Sequence, residues 1–370
     1  MKTILRIVKN ETFSAYILIP VALLAIAIGS HWNAHFLEQN RSIAGWYFTI
    51  REFTLDYVLG FFFYSVGLQL RFEVVKGALQ DRKVLFVSAF AAGMGMATPA
   101  LLFYFYNRIN GTPTTGWGIT MATDLPFVLA MLVVLKRDSL KGFVLALATI
   151  DDIGSVIVLS IVFHVKIDIA SFLLTALVLA IYFLASRYLN SKPLLVLLFI
   201  VGLALGHQSG IQTSLVAVLF GLFTSRYKEE ERGLQESMLN VIEPLSAYFI
   251  IPVFVFITLF RRYDFSWHAT TSTLVVSLIV LRLIGKPLGI FLGAWLAKSA
   301  IRLVLPFSLW DLLLIGALGT LGLDVSLIFA QKDFIGSTEN LAIMGILFTI
   351  PLAVILSTVV HLLSPSRKTL

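Results

Sequence analysis

The chain has 370 residues and a formal net charge of +7, with 58% apolar and only 13% charged residues. Soluble domains carry about 25% charged residues, so a soluble protein is excluded. The absence of cysteine excludes disulfides and thiolate metal sites. The positive balance does not point to nucleic acid, because the lysines and arginines lie in short segments between apolar runs, a topology signal.

The N-terminal MKTILRIVKN is basic and precedes an apolar run, as a cleavable signal would. Because many more runs follow, this one is read as a retained helix over 13–30. Crossing ~30 Å of hydrocarbon takes about 20 helical residues. Eleven further runs predict helices at 54–70, 84–106, 116–135, 142–164, 169–187, 193–206, 210–225, 243–260, 270–296, 308–330 and 342–363. The seventh and eighth are short and meet near Gly206–Gly210. The fold class is therefore an all-α membrane protein of about twelve transmembrane helices, with membrane lipids as its surroundings. An even count puts both termini on one side. With the N-terminus inside, about two-thirds of the 28 lysines and arginines fall inside, which makes the termini cytoplasmic. Trp32, Trp46 and Tyr47 in the outer segment 31–53 suit the membrane interface. The loop Ser225–Asn240, SRYKEEERGLQESMLN, has mixed charge and reads as a solvated connector.

The informative residues are those hydrocarbon should exclude. A charge at a helix centre costs at least ~2.5–3.5 kcal/mol and needs a partner or water. These residues are Asp56, Asp124, Asp151, Asp152, Arg282, Lys286 and Asp324, while Asp311 lies near the start of its span. Asp151 and Asp152 fall near mid-depth in LALATIDDIGSVIVLSIVF. Helical neighbours point about 100° apart, so the two carboxylates address different partners. Such a pair can hold protons near neutral pH and exchange them for a cation. Lys286, in VLRLIGKPLGIF, sits where Gly285 and Pro287 are expected to weaken the helix, and the Asp pair is its natural counter-charge. Arg282 lies one turn earlier on the same face. Two outlets are open to it, snorkelling to the interface or pairing with Asp324.

Two spans read as interrupted. One is GWGITMATDLPFVLAM, with Thr123, Asp124 and Pro126 at its middle. The other is IGALGTLGLDVSLIF, with Gly316, Gly319, Gly322, Asp324 and Ser326. Proline removes a donor and glycine loosens the turn, so freed carbonyls and helix ends can line an ion cavity. Paired broken spans, one in each half, point to an inverted-repeat transporter whose fourth and eleventh helices cross near the midplane.

The runs MATDLPFVLAMLVVL, LALATIDDIGSVIV, LIGKPLGI and LGTLGLDVSLIFA, in this order and spacing, resemble the NhaA sodium/proton antiporters over nearly the whole chain. VGLQLRFEVVKGAL near Gly67–Leu79 is similar to that family's second-helix exit. The resemblance implies one transmembrane antiporter domain over 1–370, with inverted repeats at about 84–164 and 270–363 and interface helices at 13–70 and 169–260. It implies exchange of cytoplasmic Na⁺ or Li⁺ for external H⁺, with more protons than sodium ions moved, in the bacterial inner membrane, serving pH and sodium homeostasis. Carried over residue by residue, Asp152 would be the principal Na⁺ ligand, with Asp151 and Thr123 beside it. Asp151 would pair with Lys286 and release it on ion binding. Asp124 would offset facing positive helix ends, and Asp56 would face the same region. A homodimer is a further expectation of the resemblance, and no cofactor is implied beyond the transported ions.

The sequence departs from the family in places. Gln69 stands where a cytoplasmic-end glutamate is usual, although Glu73 is retained. Gln212 stands where many members carry a histidine linked to pH response, and SMLNVIEP offers Glu243 in place of an acid–histidine pattern. These changes put pH activation in doubt. Asp324 stands where the family has an uncharged threonine-type residue, and it could add a ligand, alter selectivity or neutralise Arg282. Two other readings are a passive cation channel and an intramembrane aspartyl protease. The protease reading lacks Tyr-Asp and Gly-x-Gly-Asp, and an enzyme is not expected. The six histidines have no metal-ligand spacing.

Overall fold

The computed structural model describes residues 2–31, 35–39, 41–43, 46–76, 80–163, 167–189, 191–224, 234–302 and 308–364. Much of the expected connector after Ser225, and Trp32, lie outside the described residues.

In chain order the helices are α1 (Lys2–His31), α2 (His35–Glu38), α3 (Ile50–Phe53), α4 (Leu59–Lys76), α5 (Arg82–Ile109), α6 (Leu125–Val134), α7 (Lys141–Val162), α8 (Ile169–Tyr188) and α9 (Lys192–Gln208). There follow α10 (Thr213–Phe223), α11 (Leu234–Leu245), α12 (Ile251–Leu259), α13 (Trp267–Thr270), α14 (Thr273–Ala300), α15 (Leu309–Leu318), α16 (Asp324–Asp333) and α17 (Ser337–Leu363). Among the described residues nine helical stretches are long and apolar enough to cross a membrane, and α9, α10 and α15 are shorter apolar helices.

One departure from an all-helical chain lies in the outer segment. Strands β1 (Arg41–Ile43) and β2 (Trp46–Phe48) pair antiparallel, with Ile43 opposite Trp46.

The burial pattern is that of a chain dissolved in lipid. Along α14, Val276, Val280, Ile284, Leu288, Leu292 and Leu296 are exposed, four residues apart. The opposite face buries Arg282, Gly285, Lys286, Gly289 and Gly293. Helix α8 repeats the inversion: Leu173, Leu177 and Leu184 face out, and Thr175, Tyr182 and Ser186 are buried. In water both arrangements would be inside out.

The chain divides into two compact units. The first holds Met1–Val75 and Val156–Arg262, and the second Lys76–Ser155 and Tyr263–Leu370. In the first unit, α4 and α10 meet backbone to backbone: a Cβ on Gly67 would collide with the Val218 carbonyl oxygen. A buried hydroxyl cluster joins Tyr64 to Tyr182 at 2.7 Å, and Tyr182 to Thr224 at 2.8 Å. Two spans of this unit carry a π-helical turn, at Thr54–Val58 and Ser246–Ile250. The second precedes Pro252, which cannot donate to the Tyr248 carbonyl, so a wider turn relieves the conflict.

In the second unit, α5 and α14 pack closely through Gly285, Gly289 and Gly293, spaced one turn apart. Added Cβ atoms there would run into Pro99, the Met94 carbonyl and Ala91 of α5. Gly285 and Pro287 do not interrupt α14, which runs through both, although Pro287 has no amide to donate to the Leu283 carbonyl. The helix packs closely on α5 along this stretch.

Candidate functional site

The site forms in the second unit where two spans are interrupted. The first runs as a 3-10 turn (Trp117–Thr120), then extended chain, then α6 from Leu125. Asp124 is extended (φ −100°, ψ 117°), and Pro126 fits the first helical turn because it has no amide to leave unpaired. The second runs as α15, stops at Gly319, and restarts as α16 at Asp324. Each interruption frees carbonyls at one end and amides at the other. Buried groups of this kind must find partners.

They find each other and three charged side chains. The Asp124 amide donates to the Leu321 carbonyl at 2.7 Å. The Thr123 hydroxyl donates to the Gly319 carbonyl at 2.8 Å, and Ser326 to the Ile119 carbonyl at 2.9 Å. The Asp124 carboxylate does not cap its own helix. Its Oδ2 accepts from the Leu323 amide and, at 3.0 Å, from the Asp324 amide, so it caps the start of α16 from the other span. Lys286 donates from Nζ to the Met121 carbonyl, and Arg282 donates from Nη2 to the Ala122 and Gly322 carbonyls at 2.8 and 2.9 Å. The carboxylate therefore meets the amino end of a helix, and the cations meet freed carbonyls, as the dipole sign requires.

Helix α7 lays Asp151 against this assembly. Its Oδ2 lies 2.9 Å from Lys286 Nζ, and both side chains are essentially without solvent exposure. Thr123 neighbours the same carboxylate. Asp152, next along the helix, is also buried, at 9% exposed against 0% for Asp151. Its charge still reaches Lys286. A buried ion pair gains little net stability, but removing one partner leaves an uncompensated charge. Such a pair suits a switch better than a brace.

The other sequence candidates fall as follows. Arg282 is 1% exposed, so it does not snorkel; its hydrogen bonds go to the two backbone carbonyls, and Asp124 and Asp151 are the carboxylates whose charges reach it. Asp324 is buried at the first turn of α16. Asp56 belongs to the first unit, where its neighbours are His207 Nδ1 at 3.5 Å and the Thr213 hydroxyl at 3.4 Å. Glu73, Gln69 and Glu243 are buried polar residues of that same unit. Gln212 precedes α10 without capping it.

The sequence reading missed one cluster. Arg137 reaches Asp311 at 3.5 Å, His361 Nδ1 at 3.3 Å and the Ser364 hydroxyl at 3.3 Å. It ties the ends of α6, α15 and α17 together. Arg137 was counted only as a topology marker, and its approach to three residues more than 170 positions away leaves no local signal.

Comparison with known proteins adds an independent line. The family model described as "Na+/H+ antiporter 1" matches residues 5–361. The chain belongs to the Na+/H+ antiporter 1 family. Curated relatives in this family carry the name Na(+)/H(+) antiporter NhaA. The Escherichia coli (strain K12) protein is 30% identical over 369 residues, covering 94% of this chain and 94% of that protein. The Arthrobacter sp. (strain FB24) protein is 30% identical over 397 residues, covering 96% and 84%. The Proteus mirabilis (strain HI4320) protein is 31% identical over 296 residues, covering 77% and 74%. Membership of the Na+/H+ antiporter 1 family and the many apolar helices together make this a multi-pass membrane protein.

Proposed function

We propose that the protein is a secondary transporter, not an enzyme, which exchanges cytoplasmic Na⁺ or Li⁺ for external H⁺ across the bacterial inner membrane. The observation that carries this reading is the buried Lys286–Asp151 pair beside the less deeply buried Asp152, set among the freed ends of two interrupted helices. Asp152 takes the cation, with Asp151 and the Thr123 hydroxyl completing its oxygen shell. Hard cations of this kind prefer oxygen ligands. As the cation arrives, Asp151 turns from Lys286 to the ion, and the site sheds protons from Asp152 and Lys286. Two protons against one monovalent cation make the exchange electrogenic and couple it to pH and sodium homeostasis. Family membership supports the ion pair of substrates, since the relatives are named for Na⁺ and H⁺.

In this reading the chain makes twelve spans with both termini cytoplasmic. The interrupted segments are the fourth and eleventh spans, crossing at their breaks. The residues of the second unit, Lys76–Ser155 and Tyr263–Leu370, are consistent with inverted repeats near 84–164 and 270–363. The first unit supplies the interface helices, through which the protein forms a homodimer.

Ion-resolved exchange in proteoliposomes, from about pH 6 to about pH 9, tests the reading. Na⁺ and Li⁺ gradients should each drive opposite proton movement and generate a membrane potential, with K⁺ inert. Sodium flux with no accompanying proton movement would instead make the protein a passive channel.

A further inference from the structure

We propose that Arg137 is a positioning residue for the exchange: it clasps the far ends of the two half-helices that run to the chain breaks, and so fixes the register in which Thr123 and Gly319 meet beside Asp151. This inference rests on the antiport reading above and adds to it a control on cation affinity.

The clasp uses all three guanidinium nitrogens. Nε donates to His361 Nδ1 at 3.3 Å, Nη1 to Asp311 Oδ1 at 3.5 Å and Nη2 to the Ser364 hydroxyl at 3.3 Å. Arg137, Asp311 and Ser364 are all buried. The backbone is shaped for it. Lys136 turns left-handed after α6 (φ 54°), which few residues with a side chain do, and the Arg137 amide donates back to the Leu132 carbonyl at 2.9 Å. On the facing side Asp311 divides its oxygens. Oδ2 accepts from the amide and the hydroxyl of Ser308 and so caps α15, while Oδ1 is turned to Arg137.

The place of the clasp carries the inference. Helix α6 leads from the first break to it, and α15 leads from it to the second break. Each arm has ten residues, about 15 Å of helix. At the break end the arms are joined by the Thr123 hydroxyl on the Gly319 carbonyl and by the Asp124 amide on the Leu321 carbonyl. Arg137 joins them at the other end. Two arms held at one end pivot about it; held at both, they keep one register. Helix α15 also packs along α14 and α17, so the clasp extends that support to the end of α6.

An arginine suits this task. A buried ion pair adds little net stability, yet removing one partner strands the other. The planar guanidinium presents its donors in fixed directions, which a lysine ammonium does not. Thr123, two residues ahead of α6, is one of the oxygens proposed for the cation shell. A drift of the arm moves that oxygen, and a misplacement of about 1 Å can cost as much as about a hundredfold. The loss falls on cation binding, not on the number of folded molecules.

The test is the Na⁺ dependence of proton exchange in proteoliposomes at one fixed pH. Wild type, Arg137→Gln, Arg137→Lys, Asp311→Asn and the double variant Arg137→Gln/Asp311→Asn are reconstituted in equal amounts. Arg137→Gln and Asp311→Asn should each raise KM for Na⁺ by at least about tenfold and change the maximal rate by less than about twofold. Asp311→Asn keeps an oxygen for Ser308 and turns an amide donor towards Arg137. The double variant should be no worse than the single ones, since each removes the same contact. Arg137→Lys keeps the charge opposite Asp311 but not the threefold grip, and should fall between wild type and Arg137→Gln. A lower maximal rate at unchanged KM is what a merely structural brace gives, and it overturns the proposal. Additive effects in the double variant overturn it too. If Arg137→Gln is not recovered as monodisperse protein, Arg137→Lys and Asp311→Asn decide, and a wild-type KM in both overturns it. A wild type that exchanges no protons for Na⁺ brings down the antiport reading itself, and this inference with it.

Discussion

At the residue scale the account turns on charges in places where water is scarce. Asp151, Asp152 and Lys286 were legible in the sequence because hydrocarbon tolerates no idle charge. The 2.9 Å pair between Lys286 and Asp151 realises the expected counter-charge. The partners of Arg282 were not legible, because they are backbone carbonyls, and any sequence supplies those at every position. Asp56, which the resemblance would place facing the region of Asp124, has His207 and Thr213 of its own unit as neighbours. Breaking the buried pair should be costly: Lys286→Ala should lower unfolding stability by about 3–5 kcal/mol, since it strands a charge. The double variant Lys286→Ala/Asp151→Asn should lose less than the two single losses added together, measured by thermal unfolding in detergent. Additive losses would mean that the two do not act as a pair. Asp333 gives a pH prediction away from the spans. It lies past residue 330, where the eleventh expected span ends, and burial raises its carboxyl to about 6, against the opposing hydrogen bond from the Gly116 amide. The folded state thus holds this proton more tightly than the unfolded chain. Its stabilising contribution is full below the ordinary carboxyl value and is lost as pH rises through about 6. Asp333→Asn, which keeps an acceptor for Gly116, should flatten the fall in melting temperature across that window. A fall as steep as that of wild type would contradict the assignment.

At the element scale the interruptions were legible and the closest packing was not. Pro126 with Thr123-Asp124, and Gly319 with Gly322, announce two breaks because each removes a donor or loosens a turn. The sequence could not say that the Asp124 carboxylate caps α16 and not its own helix, since that depends on where the other span lies. Nor did Pro287 break α14. Gly285 reads as loosening, but together with Gly289 and Gly293 it serves close contact with α5. Gly289→Leu should force the two helices apart, because even a Cβ there collides with the Met94 carbonyl. Overpacking of this kind costs about 1–3 kcal/mol or more, read as a lower melting temperature. Leu288→Ala, on the exposed face of the same helix, should change it much less. Equal effects at the two positions would mean that α14 does not rely on this seam.

At the scale of the whole molecule, composition and apolar run length were enough to read a multi-pass membrane protein. The inverted burial of α8 and α14 is what that reading demands. The helix count came from run length, and the two-stranded ladder at Arg41–Phe48 escaped it because three-residue strands leave no periodic signal. The π-helical turns at Thr54–Val58 and Ser246–Ile250 escaped for a similar reason: one extra residue per turn does not alter hydropathy. Everything the molecule is proposed to do converges on the carboxylate pair of α7, where Asp151 is engaged by Lys286 and Asp152 is the less deeply buried of the two. The most direct measurement is Na⁺-driven ΔpH change in everted membrane vesicles carrying wild type or Asp152→Asn, with expression matched by immunoblot. The account predicts robust exchange by wild type and none above background by Asp152→Asn. Undiminished exchange by the asparagine variant would contradict it.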